Sequence, residues 1–236
     1  MISYANFHLE KIDFDTIIAT FVAIIISIIN LLAKSMRLKP PKFLRRLMPD
    51  LIWDIEDERN VFLTFDDGPT PGITEWILTT LDKYNAKATF FCLGKNVEAY
   101  PDLYQRIIDA GHRVGNHSYS HQKGWSMPTD RYVEDVDFAA DFIQSDLFRP
   151  PYARITPAQT RALAQRYRLI MWDIISRDYN RQISPETCLR NVLPYLEGGS
   201  IVVFHDSVKA FRNMRYALPR TLEEIRRRGL KCARIE

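Results

Sequence analysis

From residue 61 onward, short apolar runs alternate with amphipathic stretches, and polar clusters fall at the C-terminal ends of those runs. VFLTF (61–65) leads into Asp66-Asp67-Gly68-Pro69, a helical pattern over 73–84 precedes ATFFCLG (88–94), and another over 101–110 precedes HRVGNHS (112–118). The alternation continues with a helix over 129–144, capped by Thr129, then DLFRPPY (146–152), a helix over 156–167 and LIMWDII (169–175). It closes with a helix over 185–197, SIVVFHD (200–206), a helix near 214–228 and a last strand, KCARI. Apolar strands separated by helices are what a parallel sheet covered on its faces requires. The expectation is therefore an α/β sheet or barrel of about seven parallel strands. In such folds reactive side chains gather where the strands end. Asp66-Asp67, His117 to His121, Arg149 and His205-Asp206 all fall there.

The N-terminus has a different character. Ile17 to Ala33 reads IIATFVAIIISIINLLA, an apolar stretch close to the roughly 20 residues that span a bilayer. Glu10, Asp13 and Asp15 precede it, unlike a signal peptide, and Lys34, Arg37, Lys39, Lys42, Arg45 and Arg46 follow it. By the positive-inside rule, that basic flank stays in the cytoplasm. The expected organisation is an N-terminal hydrophobic helix in 1–35 with membrane contact through 14–35, a Pro-containing basic lead-in over 36–60, and a catalytic domain over 61–236. The alternatives are a helix buried against the domain, or a soluble cytoplasmic protein translated from Met36.

A net charge of +3 over 236 residues gives no reason to expect a nucleic-acid partner. Cys92, Cys188 and Cys232 are odd in number and form no C-x-x-C, which reads as free thiols.

Five clusters carry chemistry. Two carboxylates directly after an apolar strand, in TFDDGP, are costly near a core unless compensated, although D-G-P is also a common surface turn. His117 and His121 in HSYSH are four apart, which on a helical turn puts both imidazoles on one face, able to meet one metal with one of the two aspartates. Arg149 in RPPY can hold a carboxylate in a bidentate pair. In WDIISRDY and IVVFHD, His205 suits a general acid, and Asp178 can orient it through its second ring nitrogen. Trp172 reads as core rather than as a substrate platform.

Taken together and in order, TFDDG, HSYSH, RPPY, IISRDY and VFH resemble the motifs of the polysaccharide deacetylases, the NodB-like carbohydrate esterases: TFDDG, H-S/T-x-x-H, R-x-P-Y, D-x-x-D-W/Y and L-x-H. The resemblance covers about residues 60 to 236. It implies a distorted, incomplete (β/α) barrel and removal of N-acetyl groups from N-acetylglucosamine-type sugars or polysaccharides. It also implies a divalent metal, Zn²⁺ or else Co²⁺, Ni²⁺ or Mn²⁺, on Asp67, His117 and His121. Asp66 would be the base, Arg149 its holder, and the Tyr152 N–H an oxyanion donor. His205 would be the acid, tuned by Asp178, and Tyr179 and Val203 would line the acetyl pocket. Ile175, Tyr179, Val203 and Ala153 depart from the usual Asp, Trp, Leu and Gly, which leaves substrate preference open. An O-acetyl esterase, another amide deacylase or a non-catalytic carbohydrate-binding protein are the competing expectations.

Overall fold

The computed structural model describes residues 48–236. Its elements in chain order are β1 (Leu51–Ile52), β2 (Asn60–Asp66), α1 (Ile73–Lys83), β3 (Thr89–Cys92), α2 (Gly94–Ala99), α3 (Pro101–Asp109), β4 (Arg113–Asn116) and α4 (Thr129–Ala140). There follow β5 (Leu147–Phe148), α5 (Pro157–Leu163), β6 (Arg168–Ile170), β7 (Ile174–Ile175), α6 (Pro185–Arg190), β8 (Ile201–His205), α7 (Phe211–Arg227) and β9 (Lys231–Cys232). The strands pair in the order β1-β6-β5-β4-β3-β2-β8-β7, every pair parallel, and β9 joins the start of β2. β6 and β7 are consecutive in the chain yet stand at opposite sides of this order. Only residues 171–173 separate them, a span of roughly 10 to 14 Å, so the sheet must curl into a barrel that hydrogen bonds do not fully close.

Strand alternation sorts the side chains of β2. Val61, Leu63 and Phe65 point outward into the layer beneath the helices, where Phe65 stacks on Phe90 and Phe204 at centroid distances of 5.0 and 6.2 Å. Phe62 packs with Phe91, Leu147, Ile170 and Ile201 in a second, inner cluster. Thr64 and Asp66 share its parity, and this is what delivers a carboxylate to the inside of the barrel mouth. The helices that cover the outside have clear start signals: Pro at the first turn of α3, α5 and α6, and side-chain caps from Thr156 and Ser184.

Several local expectations are corrected. The single strand expected over 169–175 is two, because Asp173 turns its carboxylate onto Ile201 N–H (2.8 Å) and Ser200 Oγ–H (3.2 Å). α4 begins at Thr129 itself, with Pro128 in the cap position and no side-chain cap bond, and stops at Ala140. The helix expected over 185–197 ends at Arg190, and Pro194 lies in a separate 3₁₀ turn over Leu193–Tyr195. The lead-in over 36–60 contains β1, which pairs with β6. The apolar stretch 17–33 and the basic run to Arg46 lie outside the described residues. Among the described residues, no helix is long and apolar enough to cross a membrane. Cys92, Cys188 and Cys232 are free thiols, and burial pushes all three above the usual thiol value.

Candidate metal and catalytic site

β8, β2, β3, β4 and β5 are neighbours in the sheet, so their C-terminal ends form one rim. His205 lies beside Asp66 in the β2–β8 register, His117 N–H bonds Cys92 O, and Arg149 N–H bonds Asn116 O. The polar clusters scattered through the sequence thus meet in one cavity of about 290 Å³, lined among others by Asp66, Asp67, His117, His121, Tyr179 and His205.

Asp67, His117 and His121 each offer a ligand atom, all within 4.8 Å of one another. His121 Nε2 approaches Asp67 Oδ1 to 3.1 Å and His117 Nε2 to 3.8 Å. No hydrogen bond satisfies Oδ1, a buried carboxylate oxygen facing two imidazole nitrogens. Such an atom is costly to leave unpaired, and the O, N, N donor set is that of a divalent cation with an open position. His117 Nδ1–H donates to Arg149 O at 2.7 Å, fixing the tautomer that leaves the Nε2 lone pair toward Asp67. Burial, with the neighbouring His121 and against the pull of Asp66 and Asp67, lowers His117 to about 4 and keeps it neutral, as a ligand must be. Burial alone raises Asp67, but His121, His205 and His117 together hold it well below the usual carboxylate range.

HSYSH is not helical, contrary to the spacing argument. Ser118 and His121 take positive φ (66° and 63°), and Ser118 Oγ accepts from His121 N–H at 3.0 Å, so a bent loop brings the rings together. Of the seven non-glycine residues with positive φ among those described, Asp67, Ser118, His121, Tyr152, Ala153 and Arg177 all lie in the loops that carry the five sequence clusters. Backbone strain costs about 1–3 kcal/mol per residue and concentrates at working sites.

Asp66 is held differently. Arg149 Nη1–H donates to Asp66 Oδ1 and to Thr64 Oγ1, both at 2.7 Å. Its Nε and Nη2 donate to Ile170 O (3.1 Å) and Met171 O (2.8 Å), and its guanidinium lies 4.0 Å from the Phe91 ring centroid. Arg149 is fully buried, and burial lowers its pKa against the stabilising Asp66 charge. Thr64, in turn donating to Val202 O, is a participant that the sequence signalled only as the first letter of TFDDG.

His205 Nδ1–H donates to Asp178 Oδ1 at 2.8 Å, and His205 N–H donates to Asp178 Oδ2 at 2.8 Å. Burial pushes the imidazole down, but Asp178, with Asp67 and Asp66 adding, raises it to about 9. Asn213 donates to Asp178 O at 3.0 Å, a support that no motif pointed to. Tyr152 sits in a left-handed turn (φ 60°) after Pro151, with its ring 4.6 Å from His121. Ala153 also has positive φ (56°), so the alanine standing where glycine was expected is strained. Tyr179, Val203 and Ile175 form one wall of the cavity. Trp172, read as core, packs against that wall and also lines the cavity.

The comparisons agree with this geometry. The family model described as polysaccharide deacetylase matches residues 54–171. A peptidoglycan-N-acetylglucosamine deacetylase of Bacillus cereus is 34% identical over 158 residues, covering 64% of this chain and 57% of that protein, so this chain spans little more than half of that relative. A chitooligosaccharide deacetylase of Rhizobium leguminosarum bv. trifolii is 31% identical over 157 residues, covering 64% of this chain and 73% of that protein. Among solved structures, the Bc1960 peptidoglycan N-acetylglucosamine deacetylase in complex with 4-naphthalen-1-yl-N-oxidanyl-benzamide superposes with a TM-score of 0.74 at 28% identity, covering 78% of this chain and 90% of that one. The half-open parallel barrel, the order of the clusters along it and these matches carry one conclusion: the chain belongs to the polysaccharide deacetylase family.

Proposed function

We propose that this chain is a metal-dependent hydrolase that removes N-acetyl groups from N-acetylglucosamine-type sugars. The observation that carries the proposal is the unsatisfied Asp67 Oδ1 facing His117 and His121, beside a second carboxylate that Arg149 keeps apart. Asp67, His117 and His121 would hold the cation, Zn²⁺ or alternatively Co²⁺, Ni²⁺ or Mn²⁺. Such an ion supplies Lewis acidity, lowering the pKa of water to about 7 and polarising an acyl oxygen.

The other roles fall to the chain's own groups. Asp66, with Oδ1 taken by Arg149, presents its second oxygen as the base that accepts a proton from the attacking water. The Tyr152 N–H donates to the oxyanion that forms on the acyl carbon, a contribution typically worth about 3 kcal/mol. His205, with Nδ1–H committed to Asp178, carries the transferable proton on Nε2 and delivers it to the departing nitrogen. Tyr179 and Val203 enclose the acetyl methyl group.

An amine leaves only when protonated, and His205, raised to about 9, is protonated at neutral pH. This favours amide cleavage over the second reading, an O-acetyl esterase on the same machinery. The names of the B. cereus and R. leguminosarum relatives, a peptidoglycan-N-acetylglucosamine deacetylase and a chitooligosaccharide deacetylase, lend support. Acetate release from matched N-acetylated and O-acetylated sugar oligomers tests the choice. We expect release from the N-acetylated set, abolished by chelator and restored by Zn²⁺ or Co²⁺. Release only from the O-acetylated set, or indifference to chelator, would refute it.

A further inference from the structure

Tyr152 (51% exposed) and Arg154 line the cavity beside His121, and beyond Arg154, facing an adjoining hollow, stands a second exposed aromatic ring, Trp125 (66%). Neither ring is loose. Trp125 Nε1–H donates to Ile155 O at 3.1 Å, and the Tyr152 ring lies against His121. Each has a cation beside it: Lys123 Nζ is 5.2 Å from the Tyr152 centroid, and the Arg154 guanidinium 5.5 Å from that of Trp125.

The two loops that carry this group are clamped together. The fully buried Gln159 donates through Nε2 to Gly124 O (2.9 Å) and Met127 O (3.2 Å), and accepts through Oε1 from Thr156 N–H (3.0 Å). A Cβ at position 124 would lie 2.4 Å from Arg154 O, so only glycine lets the loops approach this closely. Among the described residues, no carboxylate pairs with Lys123 or Arg154. Lys209, across the mouth, differs: it lies 3.6 Å from Asp67 Oδ2.

An exposed indole held in one orientation offers a flat apolar face to the C–H face of a pyranose ring. The Arg154 guanidinium beside the indole and the Lys123 ammonium beside the Tyr152 ring, with no carboxylate to hold them, keep their donors available to an oxyanion. Resting on the deacetylase reading, the geometry points to a second sugar subsite on the Trp125–Tyr152 ledge, in which Lys123 and Arg154 select a neighbouring unit that bears a carboxylate or a phosphate. The enzyme then prefers oligomers whose neighbouring unit is anionic.

Calorimetric titration of the metal-loaded protein with cellotetraose, its C6-carboxylated counterpart and its C6-phosphorylated counterpart tests this without turnover, because none carries an acetyl group. We expect an anionic oligomer to bind about tenfold tighter than the neutral one, a difference of ~1.4 kcal/mol, shrinking as salt is raised. The carboxylated and phosphorylated arms show which anion the ledge prefers. Lys123→Gln/Arg154→Gln should remove the preference. Trp125→Ala should weaken all three oligomers, and Trp125→Phe should recover most of that loss. Equal binding of neutral and anionic oligomers, a preference that survives the double variant, or indifference to Trp125→Ala overturns the subsite. Acetate release reports on the deacetylase reading separately: a chain that releases none yet shows this binding pattern would lose that reading and keep the ledge.

Discussion

Arg149 and Asp66 form a fully buried ion pair in which one guanidinium nitrogen, Nη1, serves both Asp66 Oδ1 and Thr64 Oγ1 at 2.7 Å. Removing one partner of such a pair strands the other as an unpaired buried charge, at about 3–5 kcal/mol. Arg149→Met should therefore lower unfolding free energy by about that amount, read by denaturant titration, and should also lose turnover. Arg149→Lys should rescue neither, since an ammonium cannot reach Asp66, Thr64 and two carbonyls from one plane.

Asp66 and Asp67 are adjacent in sequence and differ in partners, Arg149 for the first and the two histidines for the second. Asp66→Asn should lose about 10²–10⁴ in kcat while retaining stoichiometric metal by elemental analysis. Asp67→Asn should lose the metal. A protein that binds metal equally well in both variants would remove Asp67 from the ligand set.

Asp178 sets the titration of His205. Because His205 is raised to about 9, activity that needs its proton should fall as pH rises through that value. Asp178→Asn removes the largest raising influence, and the alkaline limb of kcat should move down toward neutral pH. The linkage has the same sign in stability: the ion pair's contribution is complete below the ordinary histidine value and vanishes above about 9. A pH–rate profile that does not move in the variant would remove His205 from the acid role.

His112 offers a structural counterpart. Burial, aided by Lys87 and Arg234, lowers it to about 4, and its Nδ1 accepts from Ala88 N–H at 3.2 Å, so the fold wants it neutral. Its stabilising contribution is present above the ordinary value near 6.5 and is lost as pH falls through 4. His112→Gln should flatten the decline in stability between pH 6.5 and 4, as followed by thermal melts across that range.

The strand–helix alternation and the five strand-end clusters were legible because burial on both faces leaves β2, β3 and β8 mostly apolar, with Thr64 and Thr89 the polar residues inside their runs, so the reactive residues stand out where those runs stop. Asp66, Asp67, His117, His121, Arg149, Asp178 and His205 all meet in space as those clusters suggested. What spacing missed was set by local backbone bends and by long-range contacts. HSYSH was read as a helical turn because four residues match a helix period, whereas a loop pinned by Ser118 and Asn116 achieves the same convergence. Likewise, the break at Asp173 depends on a partner strand about 28 residues away, which no local pattern announces. The Gly124–Gln159 clamp was invisible for the same reason.

The open seam of the sheet, between its edge strands β1 and β7, has a mechanical consequence. Residues 171–173 carry the chain from β6 across to β7, and Arg149 holds the Ile170 and Met171 carbonyls there while holding Asp66 with the same side chain. A displacement of those two carbonyls would therefore reach the Asp66 carboxylate through one planar guanidinium.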